Sequence, residues 1–311
     1  MVDMQRFFQA LKVAGADPAG ILSGDSAHVV AHGHQIVSQQ SIPGVQITPH
    51  ASDQGITAKV VIEEGRQVEQ PIHLCFGLFE RTGVQNVTLE LVMGANAKAT
   101  LWSHCLFSVP EQARHTMQAV IRIGPGAEMR YQEAHYHGAS GGIEVVPRAR
   151  IELERGARLF SDFSLVTGMV GMLDVDFDVT VGEDAVAEFT SKVFGHGADR
   201  IRIKERLVLA GRNARGLIKS RVAVEDDASA EVIGITEGNA AGARGHVDCT
   251  EIIKDRGVVS ASPIVKVTHP EAKVTHEAAI GSVDRQQMET LMARGLSPEE
   301  AVHRIVGGLL R

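Results

Sequence analysis

Cys75, Cys105 and Cys249 are the three cysteines of a 311-residue chain. Their number is odd and no Cys-x-x-Cys pair exists, so neither a disulfide framework nor a self-contained zinc ribbon follows. Taken singly, each serves as well as a small buried hydrophobe. The histidines and acids are more informative. Glu133, His135 and His137 recur at every second position, and an extended strand turns all three to one side. If that side is interior, a glutamate and two histidines need hydrogen bonds or a ligand. The readings are a satisfied polar network, a polar interior route or a metal site. A single-metal enzyme built on this trio resembles a cupin in part, but Glu144 lies seven residues beyond His137, where the expected acid is misplaced. Farther on, Cys249 precedes the adjacent pair His276 and Glu277. A thiolate favours iron–sulfur chemistry, and imidazole and carboxylate make labile attachments.

A repeat must position these residues. A small turn element ending in Ala opens successive alternating runs: GANAKATL, GPGAEMRY, ERGARLFS, GEDAVAEF, GRNARGLI and EDDASAEV. The alanines are Ala97, Ala127, Ala157, Ala185, Ala214 and Ala228, at steps of 30, 30, 28, 29 and 14 residues. Ala243, Gly257 and Ala272 continue the short step. Gly, Asn and Asp supply the positive φ that corners require. One strand with its corners every 14 to 15 residues predicts an all-β fold, a right-handed parallel β-helix, in preference to an antiparallel sandwich with closer turns. Even offsets from each alanine face inward. Cys105 (eight after Ala97), Cys249 (six after Ala243) and His276 (four after Ala272) are then interior, as are Glu133, His135 and His137, and Glu277 faces out unless a bulge re-aims it. On this count Cys249 and His276–Glu277 sit two layers apart, roughly 10 Å. That is too far for one ion and suits a multi-iron cluster or a site completed by a second subunit.

The ends depart from the pattern. Residues 4–13 predict a short amphipathic helix, and the stretch to residue 55 shows little periodicity. After Ser282 two helices are expected, the first capped by Asp284, the second by a Ser297–Glu300 capping box with Pro298 at its first position. Three regions follow: 1–55 helical and irregular, 56–282 solenoid, 283–311 helical. Composition sets further bounds. A net charge of -7 argues against nucleic-acid or anionic-lipid binding. No apolar run approaches the roughly 18 residues of a membrane span, and the start lacks a signal-peptide pattern, so the expected compartment is the cytoplasm. A carbohydrate-active β-helix would need exposed acidic pairs, whereas the prominent polar residues here point inward and Trp102 is the single tryptophan. Gly124–Gly126 lacks the remaining glycine of a dinucleotide loop, so no nucleotide is expected on this chain.

The segments GHVDCTEII and HPEAKVTHEAAIGSVDRQQMETLMARGLSPEEAVHRIVGGLL resemble the end of the SufB/SufD family, scaffolds of iron–sulfur cluster assembly. The resemblance spans roughly 60–311 and is strongest over 210–311. It implies that Cys249 holds a nascent, transient cluster with His276 and Glu277 beside it, the glutamate being the SufB-like choice. It aligns ATLWSHCLF with a SufB strand whose cysteine receives persulfide sulfur, which assigns that role to Cys105. It implies a β-helix whose C-terminal helices dock a SufC-like ABC-type ATPase, a homodimer, a sulfur donor and apoprotein acceptors. A route between the cysteines is expected through interior Ser103, Glu133, Ser191, Ser220 and Gly234, interrupted by Phe163. The chain departs from the pattern in its shorter N-terminus, in SASPIVKV between the cysteine and His-Glu strands, and in Asp248 preceding the cysteine.

Overall fold

A computed structural model describes residues 4–13 and 17–310. Two short helices, α1 (Met4–Val13) and α2 (Pro18–Ile21), precede strands β1 (His28–His32), β2 (Gln35–Gln40), β3 (Val45–Ser52) and β4 (Gly55–Ile62). The regular stack runs through β5 (Ile72–Gly77), β6 (Thr82–Met93), β7 (Lys98–Phe107), β8 (Gln112–Ile123), β9 (Glu128–His137), β10 (Ile143–Leu153), β11 (Arg158–Thr167) and β12 (Gly171–Val181). It continues through β13 (Val186–Gly195), β14 (Arg200–Leu209), β15 (Arg215–Val224), β16 (Ser229–Gly238), β17 (Arg244–Ile253), β18 (Val258–Val267) and β19 (Lys273–Ser282). Helices α3 (Arg285–Met292) and α4 (Pro298–Leu309) follow.

From β5 onward, odd strands pair in parallel in one sheet and even strands in the other. The molecule is a β-solenoid, as the repeat predicts, but each coil contains two strands. The 14-to-15-residue step is half a coil, one strand on each wall. The steps near 29 residues are full coils that return to the same wall. Both corners use the same turn chemistry, and that hid the distinction. Asn96, Asp184, Asn213, Asp226 and Asp255 take positive φ at corners, with Gly126, Gly156 and Gly242 in the same role. The repeat alanines that follow are buried and line the core where the walls meet.

Residues 28–52, where periodicity is weak, form three strands. β1 adds in parallel to β5, β2 folds back antiparallel on β1, and β3 antiparallel on β4. Helix α1 sets Phe7, Ala10 and Leu11 over the outer face of the odd sheet, against Cys75 and Leu106. At the other end α4 lays Val302 and Val306 on Phe194 and Ala223 of the same sheet. The predicted caps form: Asp284 accepts from the Gln287 amide at 2.6 Å, and Ser297 and Glu300 complete a capping box. The last coil is covered by neither helix pair. Val258, Ile264, Val267 and Ile280 are exposed there. Among the described residues no helix is long and apolar enough to cross a membrane.

Candidate functional site

Two polar groups interrupt the apolar interior. The first surrounds Cys105. In the β7–β9 ladder Ser103 pairs with Glu133, Cys105 with His135, and Phe107 with His137, so strand register alone sets these neighbours. Glu133 Oε1 meets His135 Nε2 at 2.9 Å, and the Tyr131 hydroxyl donates to Glu133 Oε2 at 2.9 Å. The opposite wall contributes His115 from β8, with Nε2 3.8 Å from Cys105 Sγ. Its Nδ1 lies 3.0 Å from Gln85 Oε1. The Gln85 amide nitrogen already donates to the Gly33 and Gly77 carbonyls, so its oxygen is the face shown to His115. That arrangement assigns the proton to His115 Nδ1 and leaves Nε2 a lone pair toward the thiol.

Burial sets the protonation of this group. It pushes the Cys105 thiol well above its usual range, with the nearby Glu133 adding to the rise. It lowers His115 to about 3 and His137 well below the ordinary imidazole value, in both cases with a contribution from His135. Cys105 is thus a neutral thiol with no exposed surface. Donor atoms of Cys105, Glu133 and His135 lie within 4.8 Å of one another, a group competent to hold metal. Cys75, on β5, points the other way, into the α1 contact.

The second group surrounds Cys249. One column of the odd sheet runs Ser103, Glu133, Phe163, Ser191, Ser220, Cys249 and Ala278 in successive register. This is the expected interior route with Phe163 interrupting it; Gly234 belongs to the other wall, paired with Glu205. Beside Glu133 a cavity of about 10 Å³ is lined by Tyr131, Phe177 and Phe189 among others. It holds about one water, so side chains pack the way between the cysteines at that level.

Two carboxyls in this second group escaped the sequence reading. Ser191 Oγ donates to Glu205 Oε1 at 2.6 Å, and Ser220 Oγ donates to Glu251 Oε1 at 3.1 Å. Glu251 Oε2 is buried without a partner among the described residues. Desolvation raises both carboxyls to about 7 and the Cys249 thiol to about 11. Glu251 was findable: it stands eight residues after Ala243, the offset that places Cys105 after Ala97. Glu205 was not, because Asp199 takes the corner slot that alanine marks elsewhere.

The β17–β19 ladder corrects the expected separation. These strands are direct neighbours, with Val247 opposite His276, Asp248 opposite Glu277 and Cys249 opposite Ala278. Cys249 and His276 are therefore one layer apart, because two half-coil steps return to the same wall. His276 keeps the inward parity but belongs to the uncovered last strand, so it is exposed. Glu277 lies on the outer face, 70% exposed at its side chain and 3.9 Å from His246 Nε2. The neighbouring outer residue Asp248 pairs bidentately with Arg221 at 2.9 and 2.6 Å. The chain brings Cys249 and His276 to one side and sends Glu277 to the other.

Comparison with known proteins covers most of the chain. Residues 79–309 match the model of the SUF system FeS cluster assembly, SufBD core domain. An iron–sulfur cluster assembly SufBD family protein of Methanocaldococcus jannaschii is 35% identical over 308 residues, 99% of this chain and 98% of its own. One from Pyrococcus horikoshii is 33% identical, covering 91% of this chain and 86% of its own. Another, from Archaeoglobus fulgidus, is 27% identical over 79% of this chain and 66% of its own.

Proposed function

Since the chain belongs to the SufBD family of SUF-system iron–sulfur assembly proteins, we propose that it is the scaffold subunit of a cytoplasmic assembly complex. It receives sulfur and iron and passes a transient cluster to apoproteins. The observation that carries this reading is the position of Cys249. Its thiol faces the interior one layer below an uncovered coil, with His276 on the adjoining strand. A ligand there is sheltered from the side and reachable through the end of the stack. Cys249 and His276 would hold the nascent cluster. Glu277, on the outer face, would contribute across a homodimer formed by the last coils of two chains, whose exposed apolar residues and unpaired edges favour such a contact.

Cys105 would accept sulfur from a donor protein. Its neutrality and full burial mean that loading requires local opening of the β7–β8 region and removal of the thiol proton. The C-terminal region 283–311 would dock a SufC-like ABC-type ATPase, whose ATP-driven motion would act on the outer face of the odd sheet through α4. Catalysis of ATP hydrolysis would belong to that partner.

The test is anaerobic reconstitution of the full chain co-purified with its cognate ATPase, with iron and acid-labile sulfide quantified. Cys249→Ser is expected to lose stable cluster. Cluster accumulating in that variant at the wild-type level removes the ligand assignment. Unchanged sulfur loading in Cys105→Ser removes the acceptor assignment and leaves the scaffold reading standing.

A further inference from the structure

The interior group at Cys105 has more ligating capacity than sulfur reception needs. Cys105 and His135 oppose each other in register on neighbouring strands, and Glu133 lies two residues along the same face. Rigid sheet spacing, not a loop, brings a thiol, a carboxylate and an imidazole within 4.8 Å. Tetrahedral ligands at metal–donor distances of about 2.0–2.3 Å sit roughly 3.5 Å apart, so small side-chain adjustments would enclose one ion. A polynuclear cluster would need a larger space than these donors surround.

The ring nitrogens give a second observation. His135 Nδ1 and both nitrogens of His137 are buried with no hydrogen-bond partner among the described residues. His137 is 1% exposed and His135 4%. Buried imidazole nitrogens left unmet are costly and mark places where a ligand or water is accommodated. His115 adds a third. Gln85 fixes its tautomer, so the Nε2 lone pair points at Cys105 Sγ from 3.8 Å.

We propose that Cys105, Glu133 and His135 form a buried three-ligand site for a single divalent transition-metal ion of the zinc or ferrous class, with His115 Nε2 beside the thiol at 3.8 Å. The mixed sulfur, nitrogen and oxygen set suits these ions and disfavours magnesium and calcium, which take oxygen. Charge supports the choice. A thiolate and a carboxylate together cancel the charge of a divalent ion, which leaves a neutral centre in a low-dielectric interior. Binding forms the metal–sulfur, metal–oxygen and metal–nitrogen bonds, breaks the Cys105 S–H bond and releases that proton to solvent. No redox step is involved. The site goes beyond the scaffold reading and stands without it. It also makes metal occupancy and sulfur loading mutually exclusive at Cys105, since one sulfur serves both.

The experiment uses Co²⁺ as an optical probe on the full chain carrying Cys249→Ser, which leaves Cys105 the one interior-facing thiol. Anaerobic titration should give one Co²⁺ per chain, with a thiolate-to-cobalt charge-transfer band that excess Zn²⁺ removes. Adding Cys105→Ser should abolish the band. Adding Cys75→Ala should keep it, because that thiol faces α1. His135→Gln and Glu133→Gln should each weaken Co²⁺ binding about tenfold or more, with far-ultraviolet circular dichroism unchanged. They keep the assignment testable if Cys105→Ser does not fold. Absence of the band in the parent, its persistence after Cys105→Ser, or undiminished affinity in both glutamine variants would overturn the site. Cluster accumulation on wild-type protein is measured separately, so failure of the scaffold reading leaves the cobalt result intact, and the reverse.

Discussion

Replacing Glu205 with Gln should stabilise the protein in alkali and weaken it slightly in acid. Glu205 is 2% exposed, and the Ser191 hydroxyl donates to it at 2.6 Å. Desolvation holds its carboxyl near 7, against an ordinary value of 4.5. The folded pKa is the higher one, so the neutral acid is the form the fold accommodates. Below pH 4.5 both states are protonated and stability is complete. Between 4.5 and 7 the unfolded chain releases a proton that the folded chain keeps, and stability falls. Above 7 the loss is complete and corresponds to about 3 kcal/mol. Gln keeps the shape and the acceptor for Ser191 and carries no charge. Its NH₂ finds no designed partner and costs about 1 kcal/mol. The variant should therefore gain about 2 kcal/mol over wild type above about pH 8 and lose about 1 kcal/mol below about pH 4.5. Urea unfolding of both proteins across this range measures the difference directly. Glu251, also raised to about 7, titrates in both proteins and cancels in the comparison. A variant-minus-wild-type difference that stays constant with pH would refute the reasoning, because Glu205 would then not titrate in that window.

Three further outcomes follow from the coils. Asn213 holds φ 58° at a corner; Asn213→Ala should cost about 1–2 kcal/mol and Asn213→Gly much less, by thermal or urea unfolding. Phe163 separates Glu133 from Ser191 in the interior column. Phe163→Ala should cost about 3–5 kcal/mol and, if sulfur passes along that column, speed transfer from Cys105-bound persulfide to Cys249 in a single-turnover label experiment. Val302 packs on Phe194 and Ala223; Val302→Asp should detach α4 and, under the proposed docking, abolish co-purification with the ATPase, while circular dichroism in the strand region persists.

The repeat was legible because corners and alternation are local properties. Ala97, Ala127 and their successors mark where the chain turns inward, and parity from them correctly put Cys105, Cys249 and His135 in the interior. Parity also gave the outward direction of Glu277 without the bulge that would have reversed it. The two-wall arrangement was not legible, since both corners of a coil use the same Gly, Asn or Asp chemistry and nothing local says which wall comes next. That ambiguity doubled the separation assigned to Cys249 and His276. The exposure of His276 depends on β19 being the last strand of its sheet, a property of the stack and not of the residues around it. β1 to β3 were hidden for a related reason. They are short and reversed in part, and their register comes from the coil they join.

The antiparallel start of the molecule restricts how such stacks can join. At one edge β2 and β3 run against the direction of their neighbours, and Pro49 removes a backbone donor from β3. A last coil arriving from another copy would not meet there the parallel lattice that successive coils offer one another. Head-to-tail addition, which would propagate into a filament, lacks its template at that edge. The proposed pairing through the opposite end would instead consume the open edges of both copies at once and stop at two.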